Sequence, residues 1–325
     1  MPAPDALSSL TVHRFRAHLR PTRDLILPPG RRRAVLRGAF ALTLRKLVCH
    51  DVSLACSACP LRRSCPYPAV FDPGAAEETP RILRLADPPR PFVVREETAR
   101  AADRVSTGEP LRLDLHVVGR AIAQAPYLLA TVDRLAHDGI GPHRVPLTLD
   151  RIDALDARGL PDAVALDPSR ASMAPRAPAL RAADLERPGD EIARVVRVRF
   201  TTPTLLREAG EVLRDAPFGA LVRRLRSRLG ALATLFGEGP LATDARDEGM
   251  AADAVALRSS DVGWERETRR SSRTRERHPL EGFVGDAVYE GDLARWMPLL
   301  RLGELLHVGK HASFGLGRIE AQVLA

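Results

Sequence analysis

The sequence predicts an α+β protein in which two βαββαβ units follow one another, each an antiparallel sheet with helices on one face. The order of predicted elements supports this class, because strand, helix, strands, helix and strand occur once and then again. Apolar patterning separates helices, with repeats about every 3.6 residues, from strands, which alternate. Apolar residues make up 45% of the 325 residues, enough for a substantial core and for one large or two ordinary domains.

Elements of the N-terminal domain, predicted at 1–155, follow from local patterns. Apolar residues between Val35 and Leu47 recur at helical spacing, and 111–118 alternates as a strand does. The predicted elements are strand 10–19, helix 31–48, strands 81–85, 92–95 and 111–118, helix 126–137 and strand 145–149.

The C-terminal domain is predicted at 191–325. Its clearest helix has Leu221, Leu225 and Leu229 four residues apart on one face. The predicted elements are strand 192–200, helix 217–236, strands 254–264 and 283–289, helix 293–306 and strand 318–324, with a loop at 237–252. Residues 156–190 are rich in Ala, Pro, Arg and Asp without a strong period, and are predicted as an insertion or linker.

The charge balance favours a polyanionic partner. The net charge is +8 and the pI is about 10.1. Arginines cluster at 31–33, 223–228 and 269–275, which argues in part against the alternative of a generally arginine-rich composition. Aromatic residues are only 4% of the chain, so base stacking on aromatic side chains is not expected to dominate binding.

Targeting and membrane signals are not legible in the sequence. No stretch approaches the roughly 18 apolar residues of a membrane span. The N-terminus lacks a basic region followed by an apolar run. We therefore expect a cytoplasmic protein without a membrane partner.

All four cysteines lie close together, in an insertion predicted at 49–72. A C-x2-C core with two flanking cysteines can place four thiolates around one metal ion, whereas disulfides are disfavoured in the cytoplasm. Structural Zn²⁺ is the first prediction, a 4Fe–4S cluster the second, and unmetallated packed cysteines the alternative. The predicted ligands are Cys49, Cys56, Cys59 and Cys65.

A glycine-rich stretch near the C-terminus has Gly309, Gly315 and Gly317 at the spacing G-x5-G-x-G. Glycines permit positive φ and let a phosphate approach backbone N–H groups. The spacing fits neither common nucleotide-binding motif. A flexible hairpin is the alternative. Positive or titratable side chains in the same stretch are those of Lys310, His311 and Arg318.

This loop resembles the glycine-rich loop of the RAMP superfamily of CRISPR systems, whose pattern is roughly G-h-G-x5-G-h-G, with h apolar. Gly309, Gly315, Leu316 and Gly317 match, and His307 stands at the first glycine of the pattern. The segments 36–49, 56–71 and 272–285 are similar to one branch, the CRISPR-associated endoribonuclease that cuts precursor crRNA. The matches cover both ends of the chain and leave the middle uncovered.

The resemblance implies tandem ferredoxin-like (RRM-like) domains that bind CRISPR repeat RNA. It also implies cleavage of precursor crRNA without a catalytic metal, by 2′-OH attack that leaves a cyclic phosphate. One alternative is a non-catalytic RAMP subunit that binds crRNA beside other subunits of a CRISPR effector complex. A second, an unrelated basic metal-binding domain such as a DNA-binding regulator, is disfavoured because no helix-turn-helix is legible.

Cleavage of this kind needs a general base and a general acid, and histidine can serve either role near neutral pH. His307 is the first candidate, ahead of His50 and His311, and Lys310 is expected to stabilise charge on the phosphate. His50 follows the first helix, a region where this family often uses a histidine. Core or solvated histidines are the alternative for each.

RNA binding is assigned to the glycine-rich loop and to the basic stretch before the last hairpin strand. Arginine forks make bidentate contacts to phosphate and stack on bases. A solvated, charged loop is the alternative for the basic stretch. The predicted RNA-binding residues are Gly309, Gly315, Gly317, Arg318, Arg269, Arg270, Arg273 and Arg275.

Overall fold

A computed structural model describes most of the chain. The residues described are 7–27, 32–73, 88–97, 104–208, 210–242, 245–270, 277–309 and 311–325, with the backbone alone for 245, 267–270, 277–279 and 314. The chain divides into a first unit, Val12–Ala179, and a second unit, Met1–Thr11 with Leu180–Ala325. Both contain helices and antiparallel sheets, so the α+β class is confirmed.

The first unit is built around one large sheet. Its elements are β1 (Val12–Pro21), β2 (Leu25–Ile26), α1 (Arg32–Val48), α2 (Pro66–Phe71), β3 (Phe92–Glu96), β4 (Arg104–Val105), β5 (Leu111–Val118), α3 (Ala125–Asp138), β6 (Leu147–Leu155), β7 (Pro161–Asp167) and β8 (Ser172–Met173). Within the described residues the sheet has the antiparallel order β3-β5-β1-β6-β7-β8. Leu36, Phe40 and Leu44 on α1 are buried, and α1 contacts α3.

The second unit has a smaller sheet of order β12-β13-β9-β14 within the described residues. Its elements are β9 (Val195–Thr204), β10 (Arg207–Glu208), β11 (Glu211–Val212), α4 (Phe218–Phe236), α5 (Ala245–Asp253), β12 (Ala256–Arg270), β13 (Arg277–Glu290), α6 (Met297–Leu306) and β14 (Ile319–Val323). Leu221, Leu225 and Leu229 of α4 are fully buried, as the sequence predicts. Of the helices described here, none has both the length and the apolar character to cross a membrane.

The two units repeat one arrangement of four strands and two helices. In chain order these are β1-α1-β3-β5-α3-β6 in the first unit and β9-α4-β12-β13-α6-β14 in the second. The corresponding strands also lie side by side in the same order, β3-β5-β1-β6 and β12-β13-β9-β14. Each unit therefore places its first strand in the interior of the sheet and its last strand beside it.

Residues 156–190, predicted as an insertion or linker, contain regular structure. They contain β7 and β8, which extend the sheet of the first unit beyond β6, and the two units divide between Ala179 and Leu180. The buried positions of β7 include Ala165, a residue with little strand preference, so the alternation that marks a strand is weak there.

Two other predicted segments are the loop at 237–252 and the strand at 81–85. The stretch 237–252, predicted as a loop, contains most of α5, which packs against α4 through buried Ala252. The predicted strand 81–85 lies outside the described residues.

The hairpin of β12 and β13 is longer than the rest of its sheet. The two strands pair from Ala256 with Glu290 out to Arg270 with Arg277. Pairing of β13 with β9 stops at Phe283. The outer part of the hairpin, residues 265–270 and 277–282, is therefore a two-stranded ribbon that continues past β9, and we call it the basic ribbon.

Candidate functional site

The glycine-rich loop, residues 307–318, joins α6 to β14 and is fastened to β9. Val308 N donates a hydrogen bond of 2.8 Å to Gly317 O, which closes the base of the loop. Gly317 N donates to Pro203 O at 3.1 Å, and Arg318 N donates to the Thr202 hydroxyl at 2.9 Å. The loop thus has a defined backbone held by an interior strand.

The three glycines are required by the packing of this backbone. Gly309, Gly315 and Gly317 have φ of 77°, 78° and 70°. A Cβ at Gly317 would lie 1.7 Å from Val308 O, and one at Gly309 would lie 2.7 Å from Leu205 O. Gly315 and Gly317 are buried, whereas Gly309 is partly exposed. The glycine spacing therefore has a structural cause whether or not a phosphate binds.

His307, the first candidate for acid–base chemistry, lies in the core of the second unit. Its relative exposure is 0%. The ring Nδ1 donates to Leu316 O at 3.1 Å, and the backbone N donates to Gly303 O at 2.8 Å. A ring with no solvent exposure cannot touch RNA on the surface of this structure. The geometry assigns His307 to holding the loop.

The loop reaches solvent at several of its described residues. Among the described residues, Gly309, His311 and Arg318 are partly exposed. His311 has φ 64° and begins the turn Ala312–Phe314. The guanidinium of Arg318 lies 3.1 Å from a carboxylate oxygen of Glu320. Lys310 lies outside the described residues.

His50 is exposed and lies two residues beyond the end of α1, in the first unit. It lines a cavity of about 200 Å³ together with the four cysteines. The structure thus places the candidate histidines in two settings: His307 and His311 in the glycine-rich loop, and His50 beside the cysteines.

The predicted arginine stretch begins at the outer end of the basic ribbon. Arg269 and Arg270 end β12, where the structure describes their backbone, and Arg273 and Arg275 lie outside the described residues. At the base of the ribbon, the guanidinium of Arg214 lies 3.8 Å from the ring centroid of Trp264. The sequence predicted shorter strands, at 254–264 and 283–289. It did not indicate this extension, because the paired strands continue through charged residues that lack the usual alternation.

The basic stretch on α4 has a structural function. Arg226 pairs with Glu248 of α5 at 2.7 Å, and Arg223 pairs with Asp253 at 2.8 Å. Arg228 donates from Nε to Leu306 O at 2.9 Å, at the end of α6 where the glycine-rich loop begins. These arginines therefore join helices within the second unit.

A buried ion network, missed at the sequence level, links the two sides of the glycine-rich loop. Arg301 on α6 is 3% exposed and donates to Asp190 at 2.7 Å and to Ala321 O on β14 at 2.7 Å. Glu304 accepts from Arg301 at 2.8 Å and from Ala321 N at 2.8 Å. The sequence signal for this network was the pair Arg301 and Glu304, two opposite charges three residues apart in an otherwise apolar helix.

The cysteine loop, residues 49–65, brings all four cysteines to one cavity. Each is half-buried and free of a disulfide. Burial raises the pKa of the thiols of Cys56 and Cys65 above the usual 9.0. Within the part of the chain that the structure describes, no three histidine, cysteine or acidic side chains are already gathered as a metal site. The structure shows clustered thiols without ligating geometry.

Two family models match the chain, one on each unit. A model described as AF_1859_N, an N-terminal domain, matches residues 10–176, just over half of the chain. The model of the CRISPR-associated endoribonuclease Cas6 matches residues 198–319, from β9 to the start of β14. No curated protein sequence matches.

Solved structures of Cas6 proteins share the fold. The Thermus thermophilus Cas6 TTHB231, in a product complex, has a TM-score of 0.54 at 15% identity, with 96% of this chain and 100% of that chain covered. The Cas6 TTHA0078 product complex has a TM-score of 0.51 at 18% identity, with 96% and 99% covered. A partial Cas6-RT-Cas1–Cas2 complex has a TM-score of 0.56 at 13% identity, with 97% of this chain and 46% of that chain covered. The mixed α+β fold of this chain therefore resembles that of the Cas6 proteins. By its family models, the chain therefore joins an AF_1859_N domain at residues 10–176 to a domain of the CRISPR-associated endoribonuclease Cas6 family at residues 198–319.

Proposed function

We propose that this chain binds CRISPR repeat RNA and cleaves precursor crRNA. The observation that supports it most is the Cas6 endoribonuclease model, which extends from β9 through the whole glycine-rich loop. The similar structures TTHB231 and TTHA0078 are described as product complexes. A non-catalytic RAMP subunit is the second candidate, and the endoribonuclease family makes it the less favoured one.

The proposed reaction needs no catalytic metal. The ribose 2′-OH attacks the adjacent phosphate, the 5′-oxygen leaves, and a cyclic phosphate remains on one product. A histidine takes the proton of the 2′-OH or protonates the leaving oxygen. His311 and His50 reach solvent and are the candidates for these roles, ahead of buried His307. Lys310, next to His311, is proposed to stabilise the charge that develops on the phosphate.

We also propose that both units are ferredoxin-like domains. Their shared βαββαβ order and their shared strand arrangement support this assignment. The basic ribbon of the second unit extends from such a sheet and includes Arg269 and Arg270. We propose that these two arginines bind RNA together with Arg273 and Arg275, which lie outside the described residues. The proposed partners are repeat RNA and other CRISPR proteins, since one similar structure is a Cas6-RT-Cas1–Cas2 complex, and the proposed compartment is the cytoplasm.

The test is single-turnover cleavage of the cognate repeat RNA by the full chain in EDTA. We expect cleavage to persist and to yield a cyclic phosphate and a 5′-hydroxyl. Loss of an acid–base histidine should slow cleavage about a hundredfold or more with little change in RNA affinity. His311→Ala and His50→Ala are compared with His137→Ala, which changes a solvent-exposed histidine on α3.

The outcomes separate the candidate functions. Tight binding of repeat RNA without cleavage would favour the non-catalytic subunit. Cleavage that stops in EDTA while the far-ultraviolet circular dichroism is unchanged would contradict the metal-independent reaction. Wild-type rates in both the His311 and the His50 variants would remove these histidines from the chemistry.

A further inference from the structure

We propose that Cys49, Cys56, Cys59 and Cys65 bind one structural Zn²⁺, which ties the end of α1 to the start of α2. This inference concerns the stability of the first unit and does not rest on the proposed function. The four cysteines are the only ones in the chain, and all of them line the same cavity of about 200 Å³.

The positions of the cysteines on the backbone suit a closed metal site. Cys49 directly follows α1, and Cys65 directly precedes α2. Between them, Cys59 N donates to Cys56 O at 3.1 Å, so the C-x2-C segment forms a tight turn. This turn places its two cysteines on one short piece of backbone. Four thiolates with no open position for substrate are the usual ligand set of structural zinc.

Hydrogen bonds within the protein hold the cysteine loop at both ends. Arg45, in the last turn of α1, donates to Val52 O at 2.7 Å and to Leu54 O at 3.1 Å. Cys65 N donates to Leu61 O at 3.0 Å. These contacts fix both ends of the cysteine loop near the cavity. The cavity of about 200 Å³ has room for one ion among the four thiols.

The element beyond the loop belongs to the core, which gives the metal a structural role. Phe71 of α2 packs on Phe92 of β3, with ring centroids 4.8 Å apart, and on Phe40 of α1 at 6.3 Å. Tyr67 stacks on Phe71 at 5.2 Å. Six residues are too few for α2 to be stable alone. A crosslink at its first turn would hold these aromatic rings in place.

The test measures metal in the full-length protein. Plasma mass spectrometry of protein purified without added chelator should give one zinc per chain, and Cys59→Ser should lose most of it. Ser64→Ala and His50→Ala are the matched controls, because both residues line the same cavity and neither is a proposed ligand. Both control variants should keep the zinc. If Cys59→Ser does not fold, zinc is instead removed from purified wild-type protein with a chelator. The melting temperature of the protein should then fall.

Several results would overturn the proposal. Purified wild-type protein without stoichiometric zinc, even after incubation with Zn²⁺ alone, contradicts it. Stoichiometric iron with the visible absorption of a cluster assigns the four thiols to iron and sulfide. Loss of zinc in His50→Ala replaces the four-cysteine set by one that includes His50.

Discussion

The backbone at His307 has φ 63° and ψ 166°, a region that glycine visits readily and other residues avoid. The RAMP pattern has a glycine at this position. The chain therefore keeps the backbone that the glycine provides and adds a buried ring, whose Nδ1 donates to Leu316 O at 3.1 Å. The ring fastens the first residue of the loop to its far side.

From this geometry we expect His307→Gly to be more stable than His307→Ala. Both variants lose the ring and its hydrogen bond. Alanine keeps a strain of about 1–3 kcal/mol, which glycine relieves at an entropic cost of roughly 0.5–1 kcal/mol. The free energies of unfolding in urea give the comparison. Arg134, which is exposed within α3, serves as the control position. There the alanine variant should be more stable than the glycine variant, as is usual inside a helix. If His307→Ala is also more stable than His307→Gly, the backbone at His307 is not strained.

At the residue scale, the sequence located the loop but not the direction of its side chains. Glycine spacing was legible because three positive-φ positions leave a mark in the residue type. The burial of His307 depends on how α6 and β14 pack around it, and no local pattern records that. The exposure of His311 and His50 is likewise a result of tertiary packing.

At the element scale, helices were predicted well and strand ends poorly. The helix predicted at 217–236 is observed as Phe218–Phe236, because a long apolar stripe constrains both ends. The strand predicted at 254–264 extends to Arg270, since cross-strand pairing with β13 continues into charged sequence that lacks alternation. Short, alanine-rich β7 was missed because alanine has little strand preference and its buried positions do not alternate clearly.

The link between α6 and β14 gives a prediction at this scale. Arg301→Met should lower the free energy of unfolding by about 3–5 kcal/mol, because it leaves Asp190 as a buried charge without a guanidinium partner and leaves Glu304 with the ion pair to Arg187 alone. Arg301→Lys should cost less, since one charge contact can persist. Urea denaturation at neutral pH measures both.

The control changes an arginine of the same unit in an exposed pair. Arg194 lies 3.8 Å from Asp292, and both side chains are mostly exposed, at 70% and 66%. Arg194→Met should therefore change stability little. If Arg301→Met is no more destabilising than Arg194→Met, the network does not hold α6 to β14.

At the scale of the whole molecule, two similar units carry different specialised segments. The first unit has the cysteine loop between α1 and α2, and the second has the basic ribbon and the glycine-rich loop. A repeated βαββαβ order was predictable because element order survives weak sequence similarity. The use of each arginine cluster was not, since the arginines at 223–228 turned out to pair with acidic side chains and carbonyls inside their own unit.

The basic ribbon gives the last prediction, which concerns the electrostatics of RNA binding by the whole chain. Arginines that neutralise phosphates release counterions, so affinity should fall steeply with salt. Replacing Arg270, Arg273 and Arg275 by glutamine should reduce the slope of log affinity against log salt by about 0.7–0.9 for each phosphate that is no longer neutralised.

The control replaces three exposed arginines of the first unit, Arg158, Arg170 and Arg176, which removes the same charge from the chain. Filter binding of repeat RNA over a range of salt concentrations gives the slope for the wild-type protein and for both variants. A smaller slope in the variant of Arg270, Arg273 and Arg275 alone assigns phosphate binding to this arginine stretch. Equal reductions in both variants would mean that the net charge of +8, rather than the ribbon, governs RNA affinity.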